Sequence, residues 1–247
     1  MKILICISNV PDTTTKIKFT GDSTEFDVAG VQWIINPWDE LALTRALELK
    51  EKTNGKIEKI SVVSVGLKTA EPTLRKALAI GADEAFRIDC EAKDSNSVAA
   101  QIAEVAKDYD IIMCGIEASD YNGSAVGGML SEFLNIPSVS SVSNLDIENN
   151  DILISREIDG GAEILTTKIP FVAIVQKGIA IEPRIPSMRG IMMARKKPLN
   201  VVSPIEVENL TEFVSFELPP SKAACKMIDA ENVKELVDLL HNEAKVI

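Results

Sequence analysis

The chain has 247 residues, of which 46% are hydrophobic, and a formal net charge of -11. That is ample apolar material for a packed core, while an acidic balance without clustered Lys and Arg excludes nucleic acid as the main partner. No apolar run approaches the roughly 20 residues of a membrane span, and the opening MKILICISNVPD meets a proline and an acid too early for a signal peptide, so membrane insertion is excluded and a cytoplasmic protein is expected.

KILICIS (Lys2 to Ser8), KISVVSV (Lys59 to Val65), EAFRID (Glu84 to Asp89) and DIIMCG (Asp110 to Gly115) read as short strands, mostly continuous apolar runs of the kind buried on both faces. Helical patterns separate them. Asn36 followed by Pro37, Asp39 and Glu40 is an N-cap, a first-turn proline and an acidic first turn; Leu43, Ala46 and Leu47 then line one face, and Gly55 marks the stop. A second helix carries Leu74, Ala77 and Leu78 and ends at Gly81, and a third offers Ser97 as its cap with Val98, Ile102 and Val105 as its buried stripe. This alternation predicts an α/β doubly wound, mostly parallel sheet with helices on both faces.

Two insertions break the pattern. Polar and apolar residues alternate around Gly21-Asp22, which predicts a surface hairpin. After Pro137, Asn149-Asn150-Asp151 and Asp159-Gly160-Gly161 punctuate strand-like runs as far as FVAIV, which predicts an antiparallel extension of the sheet. Residues 178–203 are rich in Pro, Met, Arg and Lys without a clear period and read as a long exposed loop. We therefore divide the chain into a nucleotide-binding α/β domain, 1–203, and a C-terminal arm, 204–247, whose amphipathic helix near Ala230 to Ala244 packs on a neighbouring subunit. The four cysteines, Cys6, Cys90, Cys114 and Cys225, form no CxxC pair and read as free, buried thiols; with a single His241, no metal site is expected.

The stretch GIEASDYNGSAVGG, Gly115 to Gly128, lies between a buried strand and a helix, where ligands of open parallel sheets bind outside the strand carboxyl ends. Glycine at 123 permits close backbone approach and positive φ, Ser124 supplies a hydroxyl, and Ala125-Val126-Gly127-Gly128 opens a helix whose positive end suits a phosphate. It is neither a Walker loop nor GxGxxG, and small residues for tight helix-sheet packing explain it equally well.

INPWDELALTRALELKE, the Gly115 loop, SREIDGGAEILTTKIPFVAIV and EPRIPSMRGIMMARKK together resemble the beta (small) subunit of electron transfer flavoproteins over almost the whole chain. The resemblance implies an electron carrier rather than a stand-alone enzyme. It implies bound AMP, an alpha subunit that holds most of the FAD site, and transfer of electrons from dehydrogenases to a quinone reductase or another acceptor. Carried over by position, it implies AMP contacts from Cys6, Asn36, Pro37, Trp38, Asp39 and Val65. The same holds for the loop, with Asp120 and Asn122 as polar contacts and Gly115, Gly123, Ser124, Ala125 and Val126 through the backbone. Apart from the resemblance, Asp39 reads better as a residue that serves only the helix dipole. It places Arg156 and Glu157 near the flavin domain of the alpha subunit, as a steering pair or a plain surface ion pair, and Met188, Ile191 and Met192 in a loop that recognises dehydrogenases.

Family members that bifurcate electrons carry a second FAD in place of AMP and typically read Asp-Gly-Asp-Thr, then Ala-Gln-Val-Gly. Here Tyr121 replaces the glycine and Asn122 the second acid, which favours AMP. Two alternatives remain: a bifurcating subunit using a second FAD and NAD(H), and a non-redox nucleotide-binding stress or signalling protein, against which the long loop and the arm count.

Overall fold

The computed structural model describes residues 1–148, 151–222 and 224–247. In chain order it forms β1 (Lys2–Cys6), β2 (Asn9–Pro11), β3 (Trp33–Ile35), α1 (Pro37–Lys52), β4 (Lys59–Val65), α2 (Glu71–Ile80), β5 (Glu84–Ile88), α3 (Ser95–Ala106) and β6 (Ile111–Gly115). Then come α4 (Val126–Leu134), β7 (Ser138–Glu148), β8 (Asp151–Ile158), β9 (Gly161–Thr167), β10 (Phe171–Val175), α5 (Met188–Ala194), β11 (Leu199–Val202) and α6 (Val233–Leu239).

The main sheet runs β11-β5-β4-β1-β6-β10-β7-β8-β9. It is parallel from β11 to β7, and β8 and β9 close it as an antiparallel meander, so the expected α/β sheet is observed. Side chains alternate across each strand. Ile3 and Ile5 meet Leu43, Leu47, Leu74 and Leu78 of α1 and α2 on one face. Leu4 and Cys6 meet Ala99, Ile102 and Leu130 of α3 and α4 on the other. Burying both faces explains why these strands read as unbroken apolar runs.

Several expectations need correction. Phe171–Val175 does not belong to the antiparallel extension: all five residues are buried, and β10 inserts parallel between β6 and β7. Residues 178–203 are not a structureless loop. Ser187 caps α5 through the Gly190 N–H, and β11 pairs in parallel with β5. The helix hugs α2 so closely that a Cβ at Gly190 would lie 2.3 Å from the Ala79 carbonyl oxygen. Arg75 donates to the carbonyls of Ala194 and Lys197, and Lys197 Nζ to those of Leu78 and Ala82, so this unit is bolted to α2. The α3 cap is Asp94, not Ser97, which instead returns the bond in a reciprocal capping box. Of the cysteines, all free, only Cys6 and Cys114 are buried; Cys90 is half-buried and Cys225 exposed.

Other local readings match the structure. Asn36 precedes α1 with Pro37 at its start, and Gly81 ends α2, although α1 stops at Lys52, ahead of Gly55. The 21–22 hairpin is a single bridge, Phe19 to Phe26, and Asp159-Gly160 turns β8 into β9. Asn149-Asn150 lies outside the described residues. Among the described residues no helix is long and apolar enough to cross a membrane, and no group of three or more His, Cys, Asp or Glu could hold a metal.

Candidate functional site

From β1 the chain winds outward through β4 and β5, then returns to lay β6 on the other side of β1. At such a reversal the loops after the two central strands diverge and leave a crevice at their carboxyl ends. A cavity of about 330 Å³ fills it. Its floor is Cys6 to Asn9 after β1, Val65 ending β4, and Cys114 to Ala118 after β6. Asp120, Tyr121 and Gly123 to Val126 form one side, Ala92 to Ser95 at the start of α3 another, and Thr211 and Phe213 of the arm reach in from the C-terminal segment.

The first turn of α1 holds the floor together. Asp39 is 2% exposed, and its two carboxylate oxygens accept the N–H groups of Ser8 and Gly115, both at 2.8 Å. Burial raises its pKa to about 6, against the lowering effect of these donors. Asn36, equally buried, donates through Nδ2 to the Glu117 carbonyl at 2.8 Å and accepts the Ser119 N–H at 3.2 Å. Its side chain therefore organises the Gly115 loop and makes no cap bond to α1. Gly115 fits between them because a Cβ there would lie 2.6 Å from both Asp39 Oδ1 and Trp38 Cβ. Burial pushes the Cys6 and Cys114 thiols up, so this part of the floor is neutral and apolar.

In the loop, the positive φ expected at Gly123 falls instead on its neighbours, Asn122 at 50° and Ser124 at 49°. Such local left-handed kinks turn successive N–H groups toward one side, and α4 begins directly afterwards at Val126, so backbone donors and a helix N-terminus gather at one wall. The surrounding wall crowds the Asp120 carboxyl and raises its pKa by burial, although the residue as a whole stays exposed. An acceptor-only carboxylate suits hydroxyl or amino groups, and the backbone donors with Lys93 suit an anion.

Of the residues expected to bind a nucleotide, Cys6, Asp39, Val65, Gly115, Asp120, Gly123, Ser124, Ala125 and Val126 converge on this cavity. Asn36, Pro37, Trp38 and Asn122 do not line it; they shape the elements that do. Lys93, Ser95, Thr211 and Phe213 were not legible as site residues. The α3 cap beside them was read at Ser97 and not at Asp94, and nothing local marks the arm. The residues expected to meet partners lie elsewhere: Glu157 is exposed on β8, and Arg156 faces Glu163 across β8 and β9 rather than pairing with Glu157. Met188, Ile191 and Met192 are exposed on α5.

A parallel α/β sheet with a ligand-sized cavity at its reversal point defines a binding protein of the doubly wound class. Residues 24–207 match the model of the electron transfer flavoprotein domain. The chain is 36% identical over 263 residues to the electron transfer flavoprotein subunit beta of Bacillus subtilis, covering all of both chains. It is 35% identical over 253 residues to that of Syntrophomonas wolfei, covering 100% of this chain and 98% of the other. With that of Bos taurus the figures are 30% over 259 residues, 100% and 99%. The chain belongs to the electron transfer flavoprotein family, among its beta subunits.

Proposed function

We propose that this subunit holds AMP in the strand-end cavity and pairs with an alpha subunit that carries most of the FAD site. The heterodimer accepts electrons from dehydrogenases in the cytoplasm and passes them to a quinone reductase or another acceptor. The observation that carries the AMP assignment is the cavity itself. Its volume is about 330 Å³, at the small end of ligand pockets, which suits a mononucleotide better than a dinucleotide flavin. In this reading the N–H groups around Ser124, Ala125 and Val126 and the α4 N-terminus take the phosphate, and Asp120 takes ribose or base donors. FAD, when bound in the heterodimer, supplies the redox chemistry; this chain contributes binding surfaces.

Residues 217–247 offer such a surface. Among those described, α6 buries none of its residues, and Leu218, Met227, Val233, Leu236 and Val237 are exposed, as expected of an arm that packs on the alpha subunit. Glu157 and Arg156 face the flavin domain, and Met188, Ile191 and Met192 of α5 meet the dehydrogenase. The test is reduction of the copurified heterodimer: cognate dehydrogenase and its substrate should bleach the flavin absorbance, whereas a complex without flavin would favour a non-redox nucleotide-binding role.

A further inference from the structure

Beyond β11 the chain does not swing free. It lies across α3, the Gly115 loop and the 21–22 hairpin. Gln101, 6% exposed, pins Ile205 in both directions, donating to its carbonyl at 2.7 Å and accepting its N–H at 2.9 Å. Asp94 Oδ2 accepts the N–H groups of Leu210 and Thr211 at 2.6 and 3.1 Å. The Phe213 ring stacks on Tyr121 at a centroid distance of 5.0 Å, and Phe216 stacks on Phe19 at 5.1 Å while its N–H reaches the Ser23 carbonyl at 2.8 Å. Three separate elements are thus tied by one segment. Two of its residues, Thr211 and Phe213, line the strand-end cavity.

We propose that residues 205–216 form a removable wall of the nucleotide cavity, with the Phe213-Tyr121 pair as its aromatic face toward the purine base. This rests on the reading of the cavity as a mononucleotide site. A chain with 4% aromatic residues places two of them, stacked, on the rim of the strand-end cavity, where a flat base finds a π surface. The attachments suit a wall that opens. Leu210 and Phe213 are 65% and 53% exposed, so lifting the segment uncovers little apolar area, and segments of this kind occupy the low end of local opening free energies. Nucleotide entry and release then require the strap to lift, while Gln101 keeps its root in place.

The test uses the full chain copurified with its alpha subunit, loaded with labelled AMP and chased with unlabelled AMP below the unfolding temperature. Phe213→Ala should release AMP about tenfold faster, the effect of losing about 1.4 kcal/mol of aromatic contact. Gln101→Leu, which alters no cavity-lining residue, should also release AMP faster by unhooking the root of the strap. Should Phe213→Ala prove unstable, the Gln101→Leu chase decides alone. Wild-type release rates in the stable variants would overturn the strap while leaving the cavity assignment intact; a wild-type complex that holds no AMP would overturn both.

Discussion

Asp39 Oδ1 accepts the Gly115 N–H at 2.8 Å, joining the first turn of α1 to the end of β6. The other oxygen holds Ser8, so one carboxylate ties the two strands between which the cavity opens. Replacing it with Asp39→Ala leaves two partly buried N–H groups unpaired, at a cost of about 1–3 kcal/mol each. The melting temperature should fall by several degrees, and bound nucleotide should be lost in parallel, as checked by thermal denaturation and nucleotide extraction.

The same residue sets a pH dependence. Its pKa is raised by burial from 3.8 to about 6, so between those values the folded chain binds more protons than the unfolded chain. Stability contributed by Asp39 is therefore greatest below about pH 4 and declines until about pH 6, by on the order of 3 kcal/mol, then levels off. Asp39→Asn cannot titrate. The stability difference between wild type and Asp39→Asn should move against wild type across that interval; a difference that is constant from pH 4 to 8 would contradict the buried-carboxylate account.

In the Gly115 loop the conformational demand sits at Asn122 and Ser124, both left-handed, and not at Gly123, whose nearest atom to an added Cβ is Ser95 Oγ at 3.9 Å. Gly123→Ala should therefore leave melting temperature and AMP affinity close to wild type. Asn122→Val, a β-branched residue forced to positive φ, should cost about 1–2 kcal/mol and weaken AMP binding, measured by calorimetric titration.

What the sequence made legible follows from where the energy lies. Runs such as Lys59 to Val65 are apolar because both sheet faces are covered, and that pattern is local, so strands, their order of appearance and the crevice at their ends could be read directly. The first strand was read to Ser8 but ends at Cys6, because the Ser8 N–H turns to Asp39, a contact no local pattern contains. For the same reason α5 was invisible. Its Met188, Ile191 and Met192 are exposed, so no buried stripe marks it; the helix is set by the Ser187 cap and by the Gly190 approach to Ala79. Phe213 and Tyr121 are remote in sequence and meet only through the path of the arm.

Met188 is 78% exposed at the first position of α5. If it anchors the dehydrogenase, Met188→Ala should slow flavin reduction at least about tenfold, equivalent to about 1.4 kcal/mol at the interface, with melting temperature, AMP and FAD content unchanged. A variant that loses stability yet accepts electrons at the normal rate would contradict the docking role.

The most direct measurement is the nucleotide inventory of the heterodimer. The complex copurified with its alpha subunit is denatured, and released nucleotides are separated and quantified. The account predicts about one AMP and one FAD per heterodimer, each bound to the folded state alone and so lost on unfolding. Two FAD and no AMP would contradict it, assigning the strand-end cavity to a second flavin and the chain to the electron-bifurcating members of its family.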